Sequence, residues 1–273
     1  TTLFRSMEIT LLQGILLTIM TIIVGLDFFL EAFFIFRPLI VSTLTGLILG
    51  DITLGLKVGA LIELAFAGLT PAGGTQPPNP VFAGLMGTVL AYTTGCDPKA
   101  ALGLCLPFSF LGQYVILFYY SAFSFFMGKA DKCAAEADVK GIRRINFTTM
   151  TIISLTYGAL AFLCTYVAQQ PMADFVNALP AVITHGLEVA GGILPAVGFA
   201  MLLRVMMKVK YTPYFIAGFL MACFCEMPNL LPVALLGTVF ALIDFFGVKQ
   251  RKDEIEEAVK NAGITGGDTN VGI

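Results

Sequence analysis

Four carboxylic acids lie within stretches of the chain that are otherwise apolar: Asp27, Glu31, Glu63 and Glu188. A charged side chain in the hydrocarbon of a bilayer costs at least about 2.5 kcal/mol on insertion scales, so such residues mark functional positions. Helical spacing places small and polar residues on the same faces as Glu63 and Glu188. We therefore expect these two carboxylates to face another helix or a cavity rather than lipid.

An irregular segment, residues 70–80, follows Glu63 and carries two amide side chains. It contains four prolines and two glycines, which exclude a helix and make a strand unfavourable. Apolar sequence flanks it closely on both sides. Non-helical backbone at membrane depth survives only where it is buried in protein or lines a polar cavity. The segment is therefore predicted to lie inside the protein, at a binding site.

The polar groups of this region suit an uncharged sugar. A sugar ring in a dry pocket needs carboxylate acceptors and amides that both donate and accept hydrogen bonds. Glu63 and Glu188 also suit a structural hydrogen bond to a neighbouring helix, and Gln76 and Asn79 also suit capping of the loop. We interpret the following residues as sugar-binding: Glu63, Gly74, Thr75, Gln76, Pro78, Asn79 and Glu188.

Five further polar residues are interpreted as gating or structural positions. Asp27 and Glu31 are one helical turn apart and suit pairing with Arg37 or with a partner protein. Arg37 is expected near the membrane interface or bonded to a carboxylate. His185 is expected to be a buried neutral imidazole bonded to the carboxylate three residues later or to a carbonyl group. Asn229 lies in a break of the apolar sequence and suits loop structure or a gate.

The composition excludes several classes of protein. Hydrophobic residues make up 57% of the 273 residues and charged residues 12%, with a mean hydropathy of +0.87. Soluble domains carry about 25% charged residues. The net charge of −2 offers no basic field to nucleic acid. The single histidine, the absence of C-x-x-C among six cysteines and the absence of nucleophile or nucleotide motifs predict no metal, no cofactor and no disulfide.

The lengths of the apolar stretches predict the fold class. Stretches 9–26, 100–127 and 147–167 are long enough to be full spans, whereas 39–49 and 54–69 are shorter than the roughly 20 residues that cross hydrocarbon. Short helices interrupted by Gly and Pro are typical of transporters. We predict an all-α polytopic membrane protein, with full-length spans and short re-entrant or broken helices around a central sugar site.

The basic residues predict how these spans are organised. They cluster at 129–144, 204–210 and 249–252, and such clusters beside apolar spans mark cytoplasmic loops. The expected regions are an addition to the natural chain at 1–6 with Met7 as the natural start, an N-terminal membrane half at 7–127, a cytoplasmic connector at 128–146, a C-terminal membrane half at 147–247 and a partly disordered cytoplasmic tail at 248–273.

Several short motifs, in this order, resemble the C subunits of mannose-family phosphotransferase-system permeases over residues 7–246. Residues 64–74 and 76–80 look most like the N-acetylgalactosamine or galactosamine branch, since mannose-type members typically carry Pro-Asp where this chain has Pro78-Asn79. The motifs that carry the family resemblance are residues 9–13, 36–39, 47–51, Glu63 with the loop after it, 177–180, 185–187 and 190–192.

The resemblance implies a function and a set of partners. It implies a subunit, not an enzyme by itself, that imports an amino sugar across the bacterial cytoplasmic membrane. A membrane D subunit is expected as its partner, in a trimer of heterodimers. Soluble A and B subunits, which carry the phosphohistidines, are expected to phosphorylate the sugar. The alternative interpretation is an ion-coupled secondary sugar transporter that uses the membrane acids.

Overall fold

The computed structural model describes residues 8–69, 76–224 and 231–261. The predicted site residues Gly74, Thr75 and Asn229 lie outside the described residues, as do residues 1–6 and the end of the tail. Glu188 lies within a described helix, but its side chain is outside the description. The chain divides into two compact units, Thr1–Val205 and Met206–Ile273.

The described residues form helices and no strand. The helices of the first unit are α1 Leu11–Leu30, α2 Pro38–Leu49, α3 Ile52–Phe66, α4 Pro80–Thr94, α5 Pro98–Ala122, α6 Ser124–Ala135, α7 Val139–Phe162, α8 Gln169–Asn177 and α9 Ala181–Met206, with a π-helical turn at Leu163–Val167. The second unit contains a 3₁₀ turn at Val209–Tyr211, α10 Thr212–Phe224 and α11 Leu231–Asn261.

Five described helices are long and apolar enough to cross a membrane. They lie at Leu11–Leu30, Pro98–Ala122, Val139–Val167, Ala181–Met206 and Leu231–Ala258. Helices α2 and α4 are apolar but have only 12 and 15 residues. The prediction of an all-α polytopic protein that combines full-length spans with short helices is confirmed.

Helices α2 and α3 form a tight hairpin. Gly50 ends α2 with a φ of 91°, a left-handed conformation that glycine adopts without a steric penalty. The side chain of Asp51 then accepts a hydrogen bond from the Leu54 N–H and caps α3. A Cβ atom added to Gly46 would lie 2.9 Å from the Gly55 Cα, so the two backbones touch where side chains are missing.

Helix α4 is the centre of the first unit. Twelve of its 15 residues are buried, although it is too short to span hydrocarbon by itself. It packs against α1, α2, α3, α5 and α8. The first turns of α2 and α4 lie close together, because a Cβ added to Gly84 would meet the Pro38 carbonyl oxygen at 3.1 Å. The protein, rather than lipid, therefore surrounds α4.

Helices α1 and α7 run antiparallel and tie together the predicted halves of the chain. A Cβ added to Gly14 would lie 3.0 Å from the Tyr166 Cβ, and one added to Gly25 would run into the Tyr157 ring. The two helices come from opposite sides of the predicted connector at 128–146. In the structure, these connector residues form the end of α6, a turn and the start of α7. The structure accordingly divides the chain after Val205.

Candidate functional site

The segment 76–79 leads into α4 and lies along one face of α5. The Asn79 N–H donates to the Ser109 carbonyl oxygen at 3.0 Å, and the Ser109 hydroxyl donates to the Asn79 carbonyl oxygen at 2.9 Å. Gly112 makes room for this approach, since a Cβ there would lie only 2.7 Å from the Asn79 Cβ. The end of the predicted loop is therefore enclosed in protein, as its composition indicated.

Asn79 is completely buried and joins three helices. Its side-chain oxygen accepts hydrogen bonds from the backbone N–H groups of Val81 (2.9 Å) and Phe82 (3.2 Å), which caps α4. These two donors fix the orientation of the amide, so the Nδ2 group must face Tyr157 of α7, to whose hydroxyl it donates at 2.6 Å. The capping role that the sequence left open for Asn79 is present.

Gln76 is half-buried and is held by two side chains of α5. The Nε2 group of Gln113 donates to the Gln76 carbonyl oxygen, and the Tyr120 hydroxyl donates to the Gln76 Oε1 at 3.0 Å. Ser109, Gln113 and Tyr120 thus form a polar row on α5, which we call the α5 row. Pro78, between the two amides in sequence, is half-buried as well.

The α5 row was missed in the sequence. Its members are separated by four and seven residues, which places them on one face of a helix. The available signal was this spacing of hydroxyl and amide groups in an otherwise apolar span. Single residues of these types are ordinary in membrane helices, so the spacing alone did not indicate a site. It became informative only when the structure showed the segment 76–79 beside this face of α5.

Glu63 and Arg37 form an ion pair between α3 and the start of α2. The Nε and Nη2 groups of Arg37 both donate to the Glu63 Oε1. The other carboxylate oxygen, Oε2, accepts the Leu39 N–H of the first turn of α2 at 3.2 Å. The prediction that Arg37 binds a carboxylate is confirmed. For Glu63, the structural alternative of a bond to a neighbouring helix is also present.

The predicted pairing of Arg37 with Asp27 or Glu31 is wrong. The carboxylate of Asp27 is buried and accepts the backbone N–H groups of Phe33 and Ile35, each at 2.7 Å. Helix α1 ends at Leu30, and Glu31 takes a left-handed conformation with a φ of 48°. The two acids therefore do not share a helical face, and Asp27 instead stabilises the turn that leads from α1 into α2.

Gly68 lies just before the irregular segment and touches α9. A Cβ added to Gly68 would collide with the Gly198 carbonyl oxygen, and one added to Gly198 would lie 2.6 Å from the Ala65 carbonyl oxygen. Two main chains are thus in direct contact here. The described residues on either side of the gap are therefore held in place, by α9 before the gap and by α5 and α7 after it.

Helix α9 also carries His185 and Glu188. The prediction that His185 is buried is wrong, because its side chain is exposed on this helix. Leu187 packs against Gly103 of α5, at 3.1 Å between its carbonyl oxygen and a Cβ added to that glycine. Gly103 precedes Ser109 by six residues, which is about 9 Å along the helix axis. The described backbone therefore places Glu188 beside the beginning of α5, and it places segment 76–79 beside the α5 row.

Short helices next to a non-helical polar segment, here residues 76–79, are typical of membrane transport subunits. A model of the family described as PTS system sorbose-specific IIC component matches residues 11–243. The chain therefore belongs to this family of phosphotransferase-system C subunits, which includes the mannose-type members. It is a sugar-translocating permease subunit, and membership of this family does not support the ion-coupled alternative.

The chain is similar to characterised relatives over nearly its whole length. The N-acetylgalactosamine permease IIC component 1 of Escherichia coli (strain K12) is 63% identical over 245 residues, 90% of this chain and 92% of the relative. A solved chain described as a membrane protein superposes with a TM-score of 0.79 at 29% identity, covering 87% of this chain and 96% of that one. A cryo-EM structure of the mannose transporter ManYZ with microcin E492 (MceA) gives a TM-score of 0.55 at 29% identity, covering 88% and 96%. These similarities support a multi-pass membrane protein that works in a complex with a membrane D subunit.

Proposed function

We propose that this subunit imports an amino sugar, N-acetylgalactosamine or galactosamine, across the bacterial cytoplasmic membrane. The observation that carries the proposal is the segment 76–79 at the start of the half-length helix α4, in which Asn79 is buried and Gln76 is half-buried. The 63% identity to an N-acetylgalactosamine permease component supports the amino-sugar class. An uncharged ring with many hydroxyls is the ligand that such amides and carboxylates recognise.

The predicted sugar-binding residues take two different roles in this proposal. Gln76 and Pro78 are half-buried, and with Gly74 and Thr75 they provide the sugar contacts of the loop. Asn79 has its oxygen and one amide hydrogen bonded within the protein, so it positions the loop instead. Glu63 contacts the sugar while it holds Arg37 and the start of α2.

Roles are also proposed for the remaining predicted site residues. Glu188 is proposed to approach the sugar from α9, and the backbone contact of Gly68 with Gly198 ties that helix to the loop. His185 lies on the same helix, one turn before Glu188. Asn229 is proposed as a gate in the second unit.

Translocation is proposed to move the half-length helices relative to the full-length spans. Helices α2, α3 and α4 are joined by backbone contacts and caps, so they can travel as one body that carries the loop and its sugar. The full-length spans then serve as the scaffold. A trimer of heterodimers with the D subunit is the proposed assembly, and phosphorylation by the B subunit, charged through the A subunit, traps the sugar inside. The phosphohistidines lie on those soluble subunits, so this chain has no enzymatic activity of its own.

Phosphoenolpyruvate-dependent uptake tests this proposal. Cells that lack their own amino-sugar permease would express the chain with its D, B and A subunits, and uptake of labelled N-acetylgalactosamine and galactosamine would be measured. Gln76→Ala and Glu63→Gln should each lower uptake about tenfold, the effect of losing one or two hydrogen bonds to the sugar. Gln250→Ala is the matched control, because Gln250 is exposed on α11 and bonds only to Glu254 within its own helix.

Two results would contradict the proposal. If uptake stayed at the wild-type level in both variants, the sugar would not bind at this segment. Uptake that proceeds on a proton or sodium gradient without phosphoenolpyruvate would restore the ion-coupled alternative.

A further inference from the structure

The α5 row holds the loop and still has hydrogen-bonding capacity left over. Gln113 donates one amide hydrogen to the Gln76 carbonyl oxygen, and the Tyr120 hydroxyl donates its proton to the Gln76 Oε1. Among the described residues, nothing donates to the Gln113 Oε1 or to the Tyr120 oxygen, and nothing accepts from the Gln76 Nε2. The three side chains therefore offer two acceptors and an amide donor side by side.

These free groups are accessible. Gln76 and Gln113 are half-buried, and the Tyr120 side chain is 64% exposed although it lies on the same face as the buried Ser109. Gln113 and Tyr120 are seven residues apart, which is about 10 Å along the helix, and Gln76 bridges them with its backbone and its side chain. The result is a short polar edge beside an open aromatic ring.

We propose that Gln76, Gln113 and Tyr120 form a sugar subsite in which α5 supplies specificity. The amides of Gln76 and Gln113 bind hydroxyl groups on one edge of the pyranose ring. The Tyr120 ring packs against the apolar face of the sugar, and its oxygen accepts one further hydroxyl. The inference deepens the proposed function and depends on it, since it assigns Gln113 and Tyr120 to the same sugar.

The chemistry of the subsite favours a neutral ring over other ligands. None of the three side chains is charged, so nothing in the subsite balances the charge of an isolated ion or of a phosphate group taken out of water. Amides both donate and accept, which matches hydroxyl groups, and an exposed tyrosine combines an apolar body with a polar tip. A lipid chain packs against the ring but leaves the Gln76 Nε2 and the Gln113 Oε1 without a partner, and an unpaired polar group that is covered by lipid costs free energy.

Sugar binding to the purified complex of this chain with its D subunit tests the assignment. Calorimetry would measure the affinity for N-acetylgalactosamine, for galactosamine and for their 3-, 4- and 6-deoxy analogues. Gln113→Leu and Tyr120→Phe should each weaken the parent sugar about five- to tenfold, the effect of one hydrogen bond. Tyr120→Leu, which also removes the ring, should weaken it by a larger factor.

Tyr114 provides the matched control. It lies on the same helix and is 68% exposed, but it is not a member of the α5 row. Tyr114→Phe and Tyr114→Leu should leave affinity within about twofold of the wild type, the usual range for a surface change. Gln113→Glu keeps the length and one oxygen acceptor, and serves as a second variant if Gln113→Leu fails to fold.

The deoxy analogues separate direct contact from indirect positioning. If Gln113 binds one hydroxyl, the Gln113→Leu defect should disappear for the analogue that lacks this hydroxyl, because wild type and variant then make the same contacts. An equal defect for every analogue would overturn the assignment, as would unchanged affinity. Loss of the D subunit from the Tyr120→Leu complex would assign Tyr120 to a subunit interface and also overturn it. A wild-type complex that binds another hexose but no amino sugar would contradict the proposed specificity, and the same variants would then test the subsite with that hexose.

Discussion

Helices α4 and α11 are both apolar in sequence, yet they have opposite surroundings. Twelve of the 15 residues of α4 are buried, whereas none of the most apolar 18-residue window of α11 is buried in the chain. A full-length helix bonds all its backbone groups within itself and can face lipid or another subunit along its whole length. A half-length helix has an end at membrane depth, so its terminal N–H groups must find partners inside the protein.

Length alone does not decide which helix is enclosed, because the 13-residue α10 has no buried residue. The comparison instead teaches what an enclosed short helix requires at its end. The start of α4 shows how this is done. Asn79 provides the missing acceptor, and the Ser109 carbonyl oxygen accepts the Asn79 N–H itself. At the start of α2, the Glu63 carboxylate likewise accepts a hydrogen bond from the Leu39 N–H. Both caps belong to the group of residues that the sequence indicated as sugar ligands. Under the proposed function, the same polar groups would therefore cap short helices and serve the sugar site.

The largest effect is expected where the enclosed helix loses its cap. Asn79→Ala removes the acceptor for two N–H groups and leaves the Tyr157 hydroxyl without a partner, which should cost about 2–4 kcal/mol of stability. Thermal unfolding in detergent, followed by circular dichroism, would show a lower midpoint. Asn79→Asp is the control, because its carboxylate still caps α4 and accepts the Tyr157 proton. If Asp proves as damaging as Ala, the cap is not what stabilises this helix.

Glycine positions give a direct contrast between the enclosed and the exposed region. In Gly112→Val the new Cβ would lie 2.7 Å from both the Asn79 Cβ and the Phe82 ring, so overpacking should cost about 1–3 kcal/mol. A Cβ on Gly237 of α11 would meet nothing within 4 Å, and Gly237→Val should stay within about 0.5 kcal/mol of wild type. The same thermal unfolding measurement applies. Equal losses of stability in Gly112→Val and Gly237→Val would show that the two glycines do not differ in how tightly their surroundings are packed.

A smaller effect is expected from two acids that are four residues apart. Asp27→Asn replaces one acceptor of the Phe33 and Ile35 N–H groups with a donor, which should cost about 1–2 kcal/mol. Glu31→Gln should change stability by less than about 0.5 kcal/mol, because the exposed Glu31 follows the end of α1. Unfolding midpoints of both variants check this. If Glu31→Gln lost as much stability as Asp27→Asn, the two acids would contribute equally and the proposed difference between them would be wrong.

The sequence predicted the short helices well because their signals are local. Length, glycine and proline limit where α2, α3 and α4 can run, and the rule against exposed backbone in lipid then places the segment between α3 and α4 inside the protein. The family followed from motifs in a fixed order. The end of α1 was harder, since neither Glu31 nor its neighbours carry a glycine or proline that signals a left-handed residue.

Tertiary contacts account for what the sequence did not show. Arg37 binds Glu63, which is 26 residues away, and not the acids that lie closer in sequence. Asn79 reaches Tyr157 across 78 residues. The α5 row became visible only when Gln76 lay beside it. Local spacing defines the faces of a helix, but only packing decides which face meets which segment.

The contact of Gly68 with Gly198 has a mechanical consequence. Side chains between two helices can change rotamer and let the helices slide, but two main chains in van der Waals contact have no such freedom. A movement that displaces Gly68 must therefore carry α9 along or separate the two backbones completely. Under the proposed function, movement of the sugar site would reach a full-length span through this contact.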